Sequence, residues 1–204
     1  MRLHEAKKDL YRRLAKEQGY KSRAAFKLIE ANEKYGFIRP GDRVVDFGSA
    51  PGGWVQVASE LVGPRGLVVG VDTQAVHLKE ENAPTVVMDV NDERISAKLL
   101  DLLGAQADVV LSDLSPTVSG VWELDQTRQA DLALRVLDLS ASVLRRDGRA
   151  FCKLFEGERS PEVREAFRKG FKVVRVVKPA ASRSASSELY YYCDGWLGRT
   201  VPAG

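Results

Sequence analysis

The chain has 204 residues, enough for one α/β domain with a sizeable core. Its 44% hydrophobic and 29% charged content is that of a soluble globular protein, and no apolar run is long enough to span a membrane. The net charge of +3 is mildly basic, which permits RNA as a partner, so the distribution of charge matters more than its total.

The first residues are charged from Arg2 onward and carry no apolar signal-peptide stretch, so a cytoplasmic enzyme is the expectation. Cys152 and Cys193 both sit inside apolar runs and read as buried free thiols. His4 and His77 have no Cys or His neighbours at ligand spacing, so no metal site is expected.

In chain order, residues 1–20 carry Lys7, Lys8, Arg12, Arg13 and Lys16, with Leu3, Leu10 and Leu14 at roughly helical spacing and Gly19 as a stop. This is either a solvated amphipathic helix or an RNA-facing basic arm. Ser22 is a candidate N-cap for a second helix over Ala24 to Tyr35, whose face is Ala25, Leu28, Ile29 and Asn32. From spacing alone Lys27 is simply a lysine on that helix.

Gly36 ends the helix, and Pro40-Gly41 turns into a first strand, Val44 to Phe47. Asp46-Phe47-Gly48-Ser49-Ala50-Pro51-Gly52-Gly53-Trp54 then reads as a strand end and tight turn, with a helix over Trp54 to Leu61. Glycines let backbone approach a ligand there, and the helix N-terminus offers unpaired N–H groups. Such a turn can also serve geometry alone. The spacing differs from a dinucleotide fingerprint; an acid followed by Gly-x-x-Pro-Gly-Gly is similar to the first motif of S-adenosylmethionine-dependent methyltransferases.

Further strands are expected over Leu67 to Val71, Thr85 to Met88 and Ala107 to Ser112. With the first, each ends in an aspartate: Asp46, Asp72, Asp89 and Asp113. In a doubly wound parallel sheet these carboxyl ends line one ligand-binding edge, and Asp72, about twenty residues past the glycine loop, stands where an acid can bond ribose hydroxyls. A single such aspartate is more often a turn or cap residue. Ser115 to Glu123, with Trp122, is a loop: a mobile lid or a plain connection.

A long helix over Leu124 to Leu144 is stopped by Asp147-Gly148, and Arg149 to Phe155 is a fifth strand holding Lys153 within an apolar run. A lysine there is either at the strand's exit or buried with a partner. Ser160-Pro161 reads as N-cap and N1 of a helix ending at Gly170. Lys172 to Val177 is a sixth strand, Ala180 to Ser187 a flexible segment that is either a disordered loop or a polar RNA or substrate loop, and Leu189 to Cys193 the last strand.

Five stretches in this order resemble the FtsJ/RrmJ (RlmE) family of ribosomal RNA 2′-O-methyltransferases. They are Ser22-Arg23-Ala24-Ala25-Phe26-Lys27-Leu28, Val45 to Trp54, Ser112-Asp113-Leu114-Ser115-Pro116, Lys153-Leu154-Phe155-Glu156-Gly157 and Ser182 to Tyr190. The resemblance implies an α/β, Rossmann-like fold: a mostly parallel twisted sheet with an antiparallel last strand and helices on both faces. It also implies one methyltransferase domain over 1–204, with basic N-terminal helices at 1–35 and a catalytic core at 40–204.

By the same resemblance, a Lys-Asp-Lys-Glu set falls on Lys27, Asp113, Lys153 and Glu188. Contacts to S-adenosylmethionine fall on Gly52, Trp54, Asp72, Asp89 and Asp113. The implied reaction methylates a ribose 2′-hydroxyl, foremost a uridine in the A loop of large-subunit ribosomal RNA in the assembled subunit. Lys153 is then the base or the group that orients the hydroxyl. Lys7, Lys8, Arg12, Arg13, Lys21, Arg23 and Arg183 are the expected phosphate contacts. No DNA or membrane partner is expected, and the protein is expected to be a monomer. Thr117 and the loop from Val118 to Asp125 depart from the family pattern and bear on the choice of RNA. Three alternatives remain: a transfer RNA anticodon-loop enzyme, a small-molecule methyltransferase, and a non-catalytic cofactor- or RNA-binding protein.

Overall fold

A computed structural model describes residues 3–182 and 187–198, with side chains from residue 10 onward. Arg183 and its neighbours to residue 186, and the side chains of Lys7 and Lys8, therefore lie outside the described residues. The helices are α1 (Leu3–Glu17), α2 (Ala25–Tyr35), α3 (Gly53–Val62), α4 (Ile95–Leu103), α5 (Trp122–Val143) and α6 (Ser160–Gly170). The strands are β1 (Arg43–Phe47), β2 (Leu67–Asp72), β3 (Thr85–Val87), β4 (Ala107–Ser112), β5 (Leu144–Phe155), β6 (Phe171–Val177) and β7 (Glu188–Trp196).

They form one seven-stranded sheet in the order β3-β2-β1-β4-β5-β7-β6. β1 to β5 pair in parallel, and β7 runs antiparallel between β5 and β6. The strands are apolar on both faces because helices cover both. Val45, Phe47, Val69, Val71 and Val110 join the core beneath α4, α5 and α6. Val44, Val68, Val109 and Leu111 join the opposite core beneath α2 and α3.

Several local expectations are corrected. Ser22 does not cap α2; Ala25, Phe26 and Lys27 donate their amides to the carbonyls of Ser22, Arg23 and Ala24, so a tight turn meets the need a cap would fill. The Ser22 hydroxyl instead lies against Gly53, where any Cβ would collide with it, so α2 and α3 start in contact. Ser160 lies inside α6, and its hydroxyl accepts the Gly157 amide at 2.8 Å; Arg159 holds the cap position. Trp122 belongs to α5 rather than to the loop. α5 passes directly into β5, and Asp147-Gly148 forms a bulge within that strand, with Asp147 at φ 59°. Among the described side chains of α1, Ala15 is buried and Leu10 exposed; Tyr11 packs on Phe26 at 5.4 Å.

At the end of the sheet away from the strand tips, Arg149 is buried. Its guanidinium donates to both Asp42 carboxylate oxygens, at 3.2 and 3.1 Å, and to the Phe37 carbonyl. Breaking such a pair leaves an uncompensated charge, whereas replacing both partners with apolar groups does not. Asp42→Ala is expected to destabilise the fold by about 3–5 kcal/mol, and the double variant Asp42→Leu/Arg149→Met to recover much of that loss in denaturant unfolding.

Candidate active site

The ends of β4 and β5 and the start of β7 meet at one edge of the sheet, because an antiparallel strand begins where its parallel neighbours finish. Register sets the details: Lys153 stands opposite Tyr190, and Phe155 opposite Glu188. α2 crosses above and adds Lys27, which is buried on the helix face that holds Ala25, Leu28 and Ala31.

These side chains form one closed cluster. Lys27 Nζ bonds Glu188 Oε1 and donates to the Tyr190 hydroxyl at 3.2 Å. Lys153 Nζ donates to Ser115 Oγ at 2.7 Å and pairs with Asp113 at 3.2 Å and with the other Glu188 oxygen at 3.8 Å. The Tyr190 hydroxyl has Asp113 Oδ1 at 2.9 Å and Glu188 Oε1 at 2.8 Å, although it carries only one proton. One ammonium group and two carboxylates thus share the phenol, and the second ammonium group joins through the two carboxylates.

The electrostatics follow from that arrangement. Burial pushes the Glu188 carboxyl upward, but the ammonium groups of Lys27 and Lys153, with hydrogen bonds from Lys27 and Tyr190, outweigh it and hold the group below its ordinary range. Burial, with Asp113 and Glu188 alongside, drives Tyr190 well above an ordinary phenol, so it remains protonated.

The loop after β1 adjoins this cluster. Gly48, at φ 79°, takes a position where a Cβ would stand 2.8 Å from the Leu114 backbone nitrogen. That contact seats the β1 loop against Asp113 and Ser115. Asp72 accepts the Ala50 and Gln74 amides at 3.0 and 2.9 Å and so fixes the turn. Gly52, at φ 114°, faces Leu78, and the first helical amide bond of α3 is Gln56 to Gly52. The amides of Gly53 and Trp54 in the first turn therefore have no intrahelical acceptor.

The expected residues divide accordingly. Lys27, Asp113, Lys153 and Glu188 come together, and Gly52 and Asp72 shape the adjoining loop. The Trp54 indole is buried on Phe151 and Tyr190, with its N–H spent on the Ala24 carbonyl at 2.8 Å; only its backbone amide is left for a ligand. Asp89 is exposed beyond β3, accepting the Asn91 amide, on the same edge but outside the cluster. Tyr190 was not singled out from the sequence: in a Tyr-Tyr-Tyr strand only cross-strand register tells which ring faces the acids. Among the described residues, no group of three or more His, Cys, Asp or Glu side chains is placed to hold a metal ion.

Asp46 does not sit at a strand tip as expected. It is fully buried inside β1, and among the described residues neither of its carboxylate oxygens makes a hydrogen bond. Burial, reinforced by Asp113 and Asp72, raises this carboxyl well above its ordinary value. A raised value gives a contribution to stability that is full below the unfolded value near pH 4 and is lost as pH rises. Asp46→Asn is therefore expected to gain stability relative to the native chain between about pH 5 and about pH 8, read as the difference in unfolding temperature at each pH. A constant difference across that range would remove the argument.

Residues 20–196 match the FtsJ-like methyltransferase family. A protein of Methanothermobacter thermautotrophicus named ribosomal RNA large subunit methyltransferase E is 44% identical over 96% of this chain and 93% of its own length. One of the same name from Nitrosopumilus maritimus is 42% identical over 97% of this chain and all of its own. Among solved structures, a Plasmodium falciparum protein titled a putative ribosomal RNA methyltransferase superposes with a TM-score of 0.79 at 25% identity, over 88% of this chain and all of that one. Aeropyrum pernix fibrillarin shares the fold alone, with a TM-score of 0.57 at 17% identity, over 85% of this chain and 75% of that one. The clustered lysines and carboxylates thus stand in a chain that belongs to the FtsJ-like methyltransferase family.

Proposed function

We propose that the protein transfers the methyl group of S-adenosylmethionine to a ribose 2′-hydroxyl of large-subunit ribosomal RNA, with a uridine of the A loop in the assembled subunit as target. It would act as a cytoplasmic monomer, since one chain supplies all four cluster residues. The observation that carries the reading is the Lys27–Glu188–Lys153–Asp113 cluster, with both lysines buried, in a chain whose relatives bear the name ribosomal RNA large subunit methyltransferase E.

The residues fit the methyl donor. The first-turn amides of α3, with Gly52 before them, suit a carboxylate. Asp72 suits ribose hydroxyls, and Asp89 and Asp113 add acceptors on the same edge. S-adenosylmethionine supplies a methyl group already activated on a sulfonium sulfur. What the chain must add is alignment of a weakly nucleophilic hydroxyl. Lys153, ion-paired and held against Ser115, would orient that hydroxyl and meet the charge that develops on its oxygen. Lys27 and Glu188 would hold Lys153 in place and balance its charge.

Basic residues extend this edge toward a polyanion. Arg12, Lys16, Lys21 and Arg23 line a cleft of about 450 Å³ formed by α1 and the connection that leads to α2. Ser22 carries that cleft to the first turn of α3, so phosphate contacts there would run into the cofactor loop.

With radiolabelled S-adenosylmethionine, assembled undermethylated large subunits are expected to take label, ahead of deproteinised ribosomal RNA and transfer RNA. Lys153→Ala is expected to lose methyl transfer by at least about a hundredfold while still binding the cofactor. Label in transfer RNA alone would overturn the substrate, and retained activity would remove Lys153 from its role. Tyr190→Phe keeps the ring stacked on Phe151 and removes only the hydroxyl. It is expected to lower kcat by roughly tenfold, and, because Glu188 loses one of the bonds that hold its carboxyl down, to move the acid limb of the rate profile to higher pH. An unmoved limb would show that the hydroxyl does not tune the cluster.

A further inference from the structure

The chain has three tryptophans, and two of them, Trp54 and Trp196, are buried. Trp122 is 44% exposed at the first turn of α5, and one face of its ring stacks on Phe155 at 5.9 Å and 23°. Phe155 lies two residues after Lys153 on β5 and opposite Glu188 on β7. The same short segment holds Ser115, which receives Lys153. The aromatic pair therefore borders the cluster directly.

The surroundings are apolar and fixed. Of the eight large apolar side chains exposed among the described residues, four fall within this segment: Val118, Val121, Trp122 and Leu124. Asp125 is buried and accepts both the amide and the hydroxyl of Ser119, at 2.9 and 2.7 Å, while the Val121 amide bonds Ser119 Oγ. Gln126 accepts the Glu158 amide at 2.9 Å, which ties the first turn of α5 to the connection after β5. The indole is thus presented in advance rather than collected by a ligand.

A nucleotide of a single-stranded loop can unstack from its neighbours as its ribose hydroxyl is brought to Lys153. A base so exposed loses its stacking partners, and an aromatic surface beside the reacting hydroxyl restores one. We propose that the exposed face of Trp122, backed by Phe155, is a stacking shelf for an unpaired base of the RNA substrate, at or next to the methylated nucleotide. This rests on the RNA reading above and adds to it the means by which the nucleotide is held.

The test uses the native chain, in which Trp122 carries the one exposed indole. Titration with oligouridylate is expected to quench its fluorescence, and polyphosphate of matched charge is not. Trp122→Phe should abolish the quench. Trp122→Ala should raise the KM for RNA by roughly tenfold while cofactor affinity stays put, and Trp122→Leu, which is apolar without a π face, should do no better than alanine. Equal quenching by polyphosphate, full rescue by leucine, or methyl transfer to RNA by native protein with its indole unquenched would each overturn the shelf. Absence of methyl transfer to any RNA by native protein would instead overturn the functional reading on which it rests.

Discussion

Two lysines held out of water beside one carboxylate make a stable site only if each ammonium group meets an acid oxygen. Glu188 meets the requirement by dividing its oxygens, one toward Lys27 and one toward Lys153. Asp113 then supplements Lys153, and the Tyr190 hydroxyl spans both acids. Removing any member leaves a buried charge underpaired, which costs more than the pair itself contributes. The cluster therefore constrains the fold as firmly as the fold positions the cluster. It joins α2 to the ends of β4 and β5 and to the start of β7, and only a strand running against its neighbours could bring Glu188 to that edge.

The loop beside it follows a different logic. Its residues act mostly through backbone: Gly48 allows the β1 and β4 loops to touch, Gly52 turns into α3, and Asp72 spends its carboxylate on the Ala50 and Gln74 amides. Trp54 links the two halves, since its indole bonds the carbonyl that precedes α2 while its ring supports Tyr190. On the proposed reading, the methyl-donor side would be shaped by turns, and the acceptor side by charged side chains on regular elements. The turn therefore meets the helix that carries Lys27 at two places, through that indole and through Gly53 against Ser22.

Legibility in the sequence tracks how local each cause is. Apolar runs and the acid-glycine turn mark the parallel strands and α3, because burial on both faces and a tight turn leave local patterns. α4 was not expected, although Ile95, Leu99 and Leu103 recur at the spacing that buries its face. The misplaced caps at Ser22 and Ser160 share one cause: each hydroxyl or carbonyl is claimed by a contact distant in sequence or by the turn itself. Asp147-Gly148 reads as a helix stop, yet the register with β4 makes it a bulge inside a strand. Spacing alone leaves Lys27 an ordinary helix lysine; the family resemblance, and not periodicity, brought it to the site. Tyr190 escaped both routes because its role is set by pairing across β5 and β7.

The division between turn-built and strand-built halves also explains where substrate choice can vary. Lys153, Glu188 and Tyr190 are held by sheet register, so a change at one of them disturbs the packing and, on the proposed reading, the chemistry as well. Residues 117–124 are held through the Ser119–Asp125 bonds, the Gln126–Glu158 bond and the stack of Trp122 on Phe155, none of which is an ion pair. Thr117 and the apolar residues after it can therefore differ from the family pattern without displacing an ion pair. On the proposed reading, a methyl-transfer centre with fixed chemistry would take its discrimination from the lip beside Trp122, where connecting segments tolerate change and strands do not.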